Sequence, residues 1–347
     1  MHQTIVRRLF TIRGVFGIVR LSGVPTISGR KLRQGLWPVL LIIAVIMTGG
    51  SCRPSHAESN GDSREERHDS NRERNQAPIK EHSQARTIGV VTYNVSLRSF
   101  LLDKRGPRIA DMLSECNADV IALQEVTPEF FAILKHHPDI AARYTPYPAD
   151  SRLIRGRLVT LSRLPVGHWQ YHALPGRMGR VAQHLTFSTA SGDVDFFNLH
   201  LESYLQDGPI RARQLLTLHG KYSEPAIITG DLNFGDGPEA AREHAAIPPG
   251  FQDAWRILEG DSPGYTWDQE RNPLALRFRF EGEVSRRLDR ILFRASDWLV
   301  ASVDLIGTQP EFEMDGERIP PSDHYGVHAV FTYESSAVSV NNPDQTR

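Results

Sequence analysis

From residue 88 onward the chain alternates short apolar runs with polar loops. Residues 88–95 (IGVVTYNV) and 120–123 (VIAL) are β-branched and aliphatic runs of strand length with no internal proline. Comparable runs recur at 158–161, 181–187, 194–199, 226–229, 287–293, 303–306 and 327–333. Helical spacing occurs instead over 107–116, with Pro107 suited to a first turn, and over 128–134, 210–218 and 239–246. Several strand connections are too short for parallel crossovers, which need a dozen or more residues. The pattern therefore predicts an α/β body in which two packed sheets are flanked by helices.

The chain before this body is patterned differently. Residues 36–47 form an unbroken apolar run behind Arg30, Lys31 and Arg33, and small residues lead from it to Cys52. A basic start, a short apolar middle and a small-residue exit make an export signal, and the run is shorter than the ~20 residues that span a bilayer. The stretch resembles a bacterial lipoprotein signal, which implies that Cys52 becomes the lipidated first residue of the mature chain. Cys116 is then left as a single buried thiol in its helix. Residues 53–87 contain no aromatic side chain and are dense in charge, Ser, Asn, Gln and His, so they cannot bury enough surface to offset the entropy of ordering them. The expected organisation is an export signal over 1–52, a disordered polar tether over 53–87, a body over 88–335 and a flexible tail over 336–347. The protein is expected to be exported, either membrane-anchored through Cys52 or released into the periplasm or medium, and to be monomeric.

Charge narrows the partners. The totals, 40 Lys+Arg against 41 Asp+Glu, conceal a partition. Residues 1–33 hold seven basic and no acidic side chains, residues 53–87 hold seven of each, and subtraction leaves 26 basic and 34 acidic from residue 88 on. Such a body cannot hold nucleic acid by a broad basic footprint, so an anionic substrate, nucleic acid included, must be gripped locally.

Candidate chemistry lies where polar residues interrupt the apolar runs. Asn94 ends the first strand, Gln124-Glu125 the second, and His200 the run 194–199; Asp231 and Asn233 follow 226–229, Asp289 lies inside 287–293, and Ser322-Asp323-His324 precede the last strand. One acid at a strand end is commonly a loop anchor, but this succession of metal-binding, phosphate-binding and proton-transfer groups exceeds what loops require. Glu125, Asp231 and Asp323 are hard oxygen ligands suited to a divalent cation, and the lack of a Cys/His cluster argues against structural zinc. His324 can donate to a phosphoryl oxygen, with Asp289 to orient and charge it. No activated serine or cysteine nucleophile is evident, so attack by water on a phosphate ester is the economical chemistry.

The motifs Thr92-Tyr93-Asn94-Val95, Leu123-Gln124-Glu125-Val126, Gly230-Asp231-Leu232-Asn233 and Ser322-Asp323-His324, in that order and spacing, resemble the signatures of the endonuclease/exonuclease/phosphatase superfamily. Within it, Asn198-Leu199-His200-Leu201-Glu202-Ser203, Gly264-Tyr265-Thr266-Trp267-Asp268, residues 287–294 and residues 302–307 are most similar to the tyrosyl-DNA phosphodiesterases. The resemblance covers residues 88–332. It implies a four-layer α/β/β/α sandwich with two facing, largely antiparallel sheets, and magnesium- or manganese-dependent phosphodiester hydrolysis. By it, Glu125 is the main metal ligand, Asn94 supports phosphate and metal, and Asp323 supports the metal or water network. Asp231 activates water, His324 paired with Asp289 stabilises the phosphoryl charge, Asn233 and His200 donate to the phosphate, and Ser203 grips the substrate. Two basic residues expected after the His-Leu-Glu-Ser and Asp-x-Asn motifs are replaced by Tyr204-Leu205 and Phe234-Gly235. Arg155, with Arg152 and Arg157 in a glycine-containing loop, is a substitute grip or a solvated loop residue. Trp267 stacks on substrate or fills the core. The alternatives are an exported phospholipid or inositol-phosphate phosphatase on the same centre, and a non-catalytic phosphoester-binding module.

Overall fold

The computed structural model describes residues 86–189 and 192–333. The export signal, Cys52, the tether up to residue 85 and the tail from residue 334 lie outside the described residues. In chain order the elements are β1 (Arg86–Asn94), α1 (Leu102–Glu115), β2 (Val120–Gln124), α2 (Pro128–His136), α3 (Pro138–Arg143), β3 (Thr145–Tyr147) and β4 (Val159–Ser162). They continue with β5 (Val166–Ala173), β6 (Val181–Thr189), β7 (Gly192–His200), α4 (Gly208–Leu216), β8 (Ala226–Asp231), α5 (Ala241–Ala246) and β9 (Gln252–Asp253). The last are α6 (Ala254–Glu259), α7 (Pro273–Phe278), β10 (Asp289–Arg294), β11 (Trp298–Ile306), β12 (Phe312–Met314), β13 (Glu317–Ile319) and β14 (Gly326–Tyr333).

Two six-stranded sheets result, ordered β11-β14-β1-β2-β4-β3 and β5-β6-β7-β8-β10-β9, with β12 and β13 as a separate hairpin. Each six-stranded sheet contains a single parallel pair, β1 with β2 and β7 with β8, and all its other pairings are antiparallel. A parallel pair requires a crossover, which α1 and α4 supply. The two pairs aim the C-terminal ends of β1, β2, β7 and β8 at one rim, with His200 level with Asp231 across β7 and β8 and Asp289 level with Asp231 across β8 and β10.

Strand alternation sorts the side chains into three layers. Ile88, Val90, Val120, Ala122, Phe196, Ile227, Ile291 and Phe331 fill the space between the sheets. Val91, Tyr93, Ile121 and Leu123 face the opposite way and pack with Ile109, Leu113 and Phe130 of α1 and α2. Phe197, Leu199 and Ile228 pack with Leu215 of α4. Each fully buried side chain of this size contributes roughly 1.5–3 kcal/mol. Along the inter-sheet face the residues turn polar toward the rim: Ile88 and Val90 lead to Thr92 and Asn94, Phe196 to Asn198 and His200, Ile227 to Thr229 and Asp231. The transition is a buried amide layer in which Gln124 Nε2 donates to Asn198 Oδ1 (2.8 Å), Thr160 Oγ1 donates to Gln183 Oε1 (2.7 Å) and Asn198 Nδ2 donates to the Leu123 carbonyl (3.2 Å). Its groups satisfy one another, so the fold passes from hydrocarbon to charge without orphaning a polar group at the boundary.

Four readings of local pattern are corrected. Strand β1 opens at Arg86, two residues inside the stretch assigned to the tether. Helix α1 starts at Leu102 rather than 107, with Pro107 inside it. The buried Arg105 guanidinium explains the earlier start: it donates to the carbonyls of Val95 (2.6 Å), Ser96 (2.9 Å) and Phe100 (3.0 Å), pinning the first turn to the loop after β1. Asp289 is the first residue of its strand and so stands at the rim. Cys116 caps α1 half-exposed rather than fully buried, and its thiol is pushed up to about 11 by burial and by Glu115. The edge strands β3, β5, β9, β12 and β13 and helices α3, α6 and α7 lack a legible period because they are short or half-exposed.

Candidate active site

Of the strand-end residues named above, Glu125, His200, Asp231, Asn233, Asp323 and His324 open into one cleft of about 200 Å3, bordered also by Leu97, Arg98, Ser203, Trp267, Phe278, Phe280, Glu283 and Leu288, while Asn94 and Asp289 touch it through Asp231 and His324. Ser96, Glu125 and Asn233 stand in left-handed conformations (φ 59°, 62° and 58°), each costing of order 1–3 kcal/mol. The strain occurs where β1, β2 and β8 hand the chain to the rim. Gly230 (φ 133°) is obligatory there, since a Cβ would lie 2.0 Å from the Leu199 carbonyl oxygen.

Asp231 is held from two sides. Its Oδ1 accepts the Asn233 backbone N–H (3.0 Å) and its Oδ2 accepts Asn94 Nδ2 (3.0 Å). Asn94 Oδ1 in turn accepts the Ser96 N–H (3.1 Å), so both ends of the Asn94 amide orient protein groups. Asn233 Nδ2 donates to the Leu201 carbonyl (3.1 Å), locking that loop across the sheet. Burial raises the Asp231 carboxyl, against the opposing pull of His324.

His324 Nδ1 lies 2.8 Å from Asp289 Oδ2, and its Nε2 lies 3.8 Å from Asp231 Oδ2. Burial alone would depress the imidazole, but Asp289 and Asp231 outweigh it and raise its pKa to about 10. His324 is thus an imidazolium with Nδ1 committed and Nε2 directed into the cleft. Thr266 Oγ1 accepts the N–H groups of Leu288 and Asp289 (3.0 Å each), and Ser322 Oγ donates to the Asn94 carbonyl (2.7 Å), tying the His324 loop to β1. The indole of Trp267 is buried and packs edge-on to His324 with ring centroids 5.0 Å apart, so it shapes the cleft as part of its wall.

Glu125 Oε2 accepts the Leu97 N–H (2.7 Å). Its carboxyl is raised by burial and then by Asp323, two acids facing one space. Glu125, Asp231, Asp289 and Asp323 crowd this rim, and the charged His324 and the buried guanidinium groups of Arg180 and Arg105 face them, with Arg98 at the mouth of the cleft. Glu125 and Asp323, two like charges that oppose each other across the cleft, offer the oxygen donors that suit a hard divalent ion. Asp231, Asp289 and His324 also bring ligand atoms within 4.8 Å of one another. The charged His324, with Nδ1 committed to Asp289, makes that trio the poorer cradle, and Glu125 with Asp323 the better one.

Arg180, which sequence reasoning passed over, is a central basic group of the site. Its Nη2 donates to Ser203 Oγ (2.7 Å) and lies 3.1 Å from His200 Nε2. The same His200 Nε2 lies 3.4 Å from Asp231 Oδ2, so the ring stands between the guanidinium and the carboxylate. Burial, then Arg180, push the His200 pKa well below its ordinary value. His200, expected to donate to phosphate, borders the cleft and touches Arg180. The only sequence sign of Arg180 is its place after two glycines at the start of β6. Arg155 is exposed and is not among the residues of the cleft. A wall of Phe278 and Phe280, with Arg98 3.7 Å above the Phe278 ring, was also not anticipated, because α7 is too short to show a period.

Two facing sheets, with acids, amides and one charged histidine delivered at the ends of their central strands, define a four-layer α/β sandwich whose rim is built to receive an anion. The sequence model of the Endonuclease/Exonuclease/phosphatase family matches residues 91–324, and the chain belongs to that family. It is similar to tyrosyl-DNA phosphodiesterase 2 of Mus musculus, 29% identical over 261 residues that cover 72% of this chain and 66% of that protein. The Homo sapiens counterpart is 25% identical over 252 residues, 69% of this chain and 67% of that protein. The chain thus spans about two thirds of the length of these relatives. Among solved structures, D. rerio TDP2 complexed with single-strand DNA product aligns with a TM-score of 0.59 at 23% identity over 71% of this chain and 98% of that one. Sphingomyelinase C from Streptomyces griseocarneus aligns at 0.52 and 19% over 71% and 99%. At these identities the structural matches report the fold.

Proposed function

We propose that the chain is a divalent-cation-dependent hydrolase of phosphodiesters that works by direct attack of water. The observation that carries this reading is Asp231, fixed by Asn94 and Asn233, standing beside an imidazolium that Asp289 keeps charged. The relatives named for phosphodiester cleavage support it. Asp231 accepts the proton of the attacking water; the new bond forms between water oxygen and phosphorus, and the bond to the leaving oxygen breaks. His324 Nε2–H donates to a non-bridging oxygen, and Arg180, steadied by His200 and Ser203, supplies the second positive group. Glu125 and Asp323 would hold magnesium or manganese, which when bound neutralises phosphate charge. Preorganised charges of this kind supply most of the barrier reduction in phosphoryl transfer.

The exposed apolar rim formed by Leu97, Tyr204 and Phe280 favours a second reading, a phospholipid diester as substrate. It accords with the proposed export and lipid anchoring at Cys52, which a mass measurement of the mature N-terminus tests. Among the described residues no helix is long and apolar enough to cross a membrane.

The test is hydrolysis by the full chain of 5'-tyrosyl-DNA, single-stranded DNA, a bis-aryl phosphodiester, sphingomyelin and inositol phosphates, with magnesium, manganese or chelator. Glu125→Ala is the blank. Cleavage that needs metal and disappears in that variant supports the reading. Saturable binding of a phosphodiester without turnover by the metal-loaded protein would instead identify a binding module.

A further inference from the structure

The catalytic cleft has two unlike flanks. On one side stand Phe278 and Phe280; on the other a depression of about 480 Å3 opens beside Val126, the residue after Glu125, and Arg180 belongs to its wall. Arg157 joins Arg180 there, with Ser151, Met178 and the backbone of Gly156 and Gly179, and no bordering side chain is acidic. Arg180 is only 8% exposed, and its Nε finds no acceptor although Nη2 is engaged by His200 and Ser203. Neither Arg157 nor Arg180 has a carboxylate within salt-bridge distance among the described residues, whereas Arg152 nearby is paired with Asp150. The Val126 N–H donates to the Arg157 carbonyl (3.0 Å), which fastens the Arg157 turn, left-handed at φ 58°, to the chain next to Glu125.

Asp231, Glu125 and Glu202 lend Arg180 their field without ion-pairing with it, so two guanidinium groups border a depression that has no acidic side chain on its walls. We propose that this depression is a second anion subsite, in which Arg157 and Arg180 receive a further phosphoryl group of the substrate being cleaved. The inference rests on the phosphodiesterase reading and deepens it: the preferred substrate carries a second phosphate near the scissile one. A phosphorylated nucleoside and a phosphorylated cyclitol present that same chemistry.

Two chromogenic esters isolate the effect: p-nitrophenyl thymidine 5'-phosphate and its 3'-phosphorylated counterpart, both releasing nitrophenolate. The full chain with metal is expected to show a kcat/KM ratio of about tenfold in favour of the bisphosphorylated ester, through KM, the worth of one charge-assisted hydrogen bond. Arg157→Gln should bring the ratio to about one, Arg157→Lys should retain part of it, and Arg155→Gln, on the same loop but outside the depression, should leave it standing. A wild-type ratio near one, a ratio that survives Arg157→Gln, or an equal loss in Arg155→Gln overturns the subsite while leaving the hydrolase reading intact. Should neither ester turn over, calorimetry in metal-free buffer still decides. Thymidine 3',5'-bisphosphate must bind several-fold tighter than thymidine 5'-monophosphate in the wild type and not in Arg157→Gln; equal affinities reject the subsite. The pair inositol 1,4-bisphosphate and inositol 1-phosphate, titrated alongside, separates the nucleoside source from the cyclitol one.

Discussion

Two buried charge clusters lie within a few residues of each other along β8 and β10, and they are built on opposite plans. At the rim, Glu125, Asp231, Asp289 and Asp323 gather around His324, Arg180 and Arg105, and the one close ion pair among these groups is His324 with Asp289 at 2.8 Å. Just behind Asn233, Arg287 and Arg290 share Asp236 and Asp253. Arg287 reaches Asp236 (2.8 Å) and Asp253 (2.7 Å), Arg290 reaches both at 2.9 Å, and Arg256 adds a contact to Asp236 at 3.1 Å. Arg290 also donates to the carbonyls of Phe234 (3.2 Å) and Gly235 (3.0 Å), clamping the loop that carries Asn233. Here positive groups outnumber negative ones, and although burial opposes it, Arg290 and Arg287 hold the Asp236 carboxyl down at about 2. Charge that is paired on site makes a scaffold. Charge of one sign left facing a cleft makes a place for a ligand.

The largest expected effect comes from the unpaired cluster. Asp231→Asn should lower turnover by about 10^3 or more, some 4 kcal/mol of barrier, while the melting temperature holds. Steady-state rates at saturating metal with a thermal melt check this, and undiminished turnover removes Asp231 as the water-activating group. Breaking the paired cluster should do the reverse. Arg290→Met leaves Asp236 and Asp253 to Arg287 and the more exposed Arg256, and should cost about 3–5 kcal/mol of stability in denaturant titration, the range for a severed buried pair. If stability were unchanged but turnover lost, the clamp on Phe234 and Gly235 would be its whole purpose.

The pH dependence sharpens the contrast. His324, raised to about 10 by Asp289 and Asp231 against the effect of burial, contributes stability that is full below about 6.5 and is lost as pH rises through about 10. The alkaline limb of the rate profile should fall over the same range, and Asp289→Asn should move it to lower pH; an unmoved limb would separate His324 from Asp289. The smallest effect is on the acid side. Asp236, depressed to about 2, contributes about 2 kcal/mol that is present above about pH 4 and fades as pH falls toward 2. Denaturant midpoints for wild type and Arg290→Met over that interval should differ in slope, the variant being the flatter.

The candidate set at the rim was legible because each member interrupts an apolar strand: Asn94, Glu125, His200, Asp231 and His324 are visible against the hydrocarbon before or after them. Their pairing was less so. Asp289 read as mid-strand, although the ladder begins with it, and the contact of His200 with Arg180 was not foreseen because nothing in the sequence announces Arg180. An arginine beside two glycines has the composition of a solvated loop. Only the crossing of β6 and β7 buries it against His200 and Ser203. Arg287 and Arg290 likewise read as part of an ordinary charged strand until β8, β9 and β10 bring Asp236 and Asp253 to them.

The sequence by itself therefore determined the central strands, the longer helices, the two-sheet arrangement and the candidate polar groups at the strand ends, because local sterics and the period of burial act over a few residues. Tertiary structure alone decided which charges are paired and which are left open. Those outcomes depend on distances of a few ångströms between residues far apart in the chain. In a low-dielectric interior such distances determine whether a charge is neutralised or held ready for a ligand.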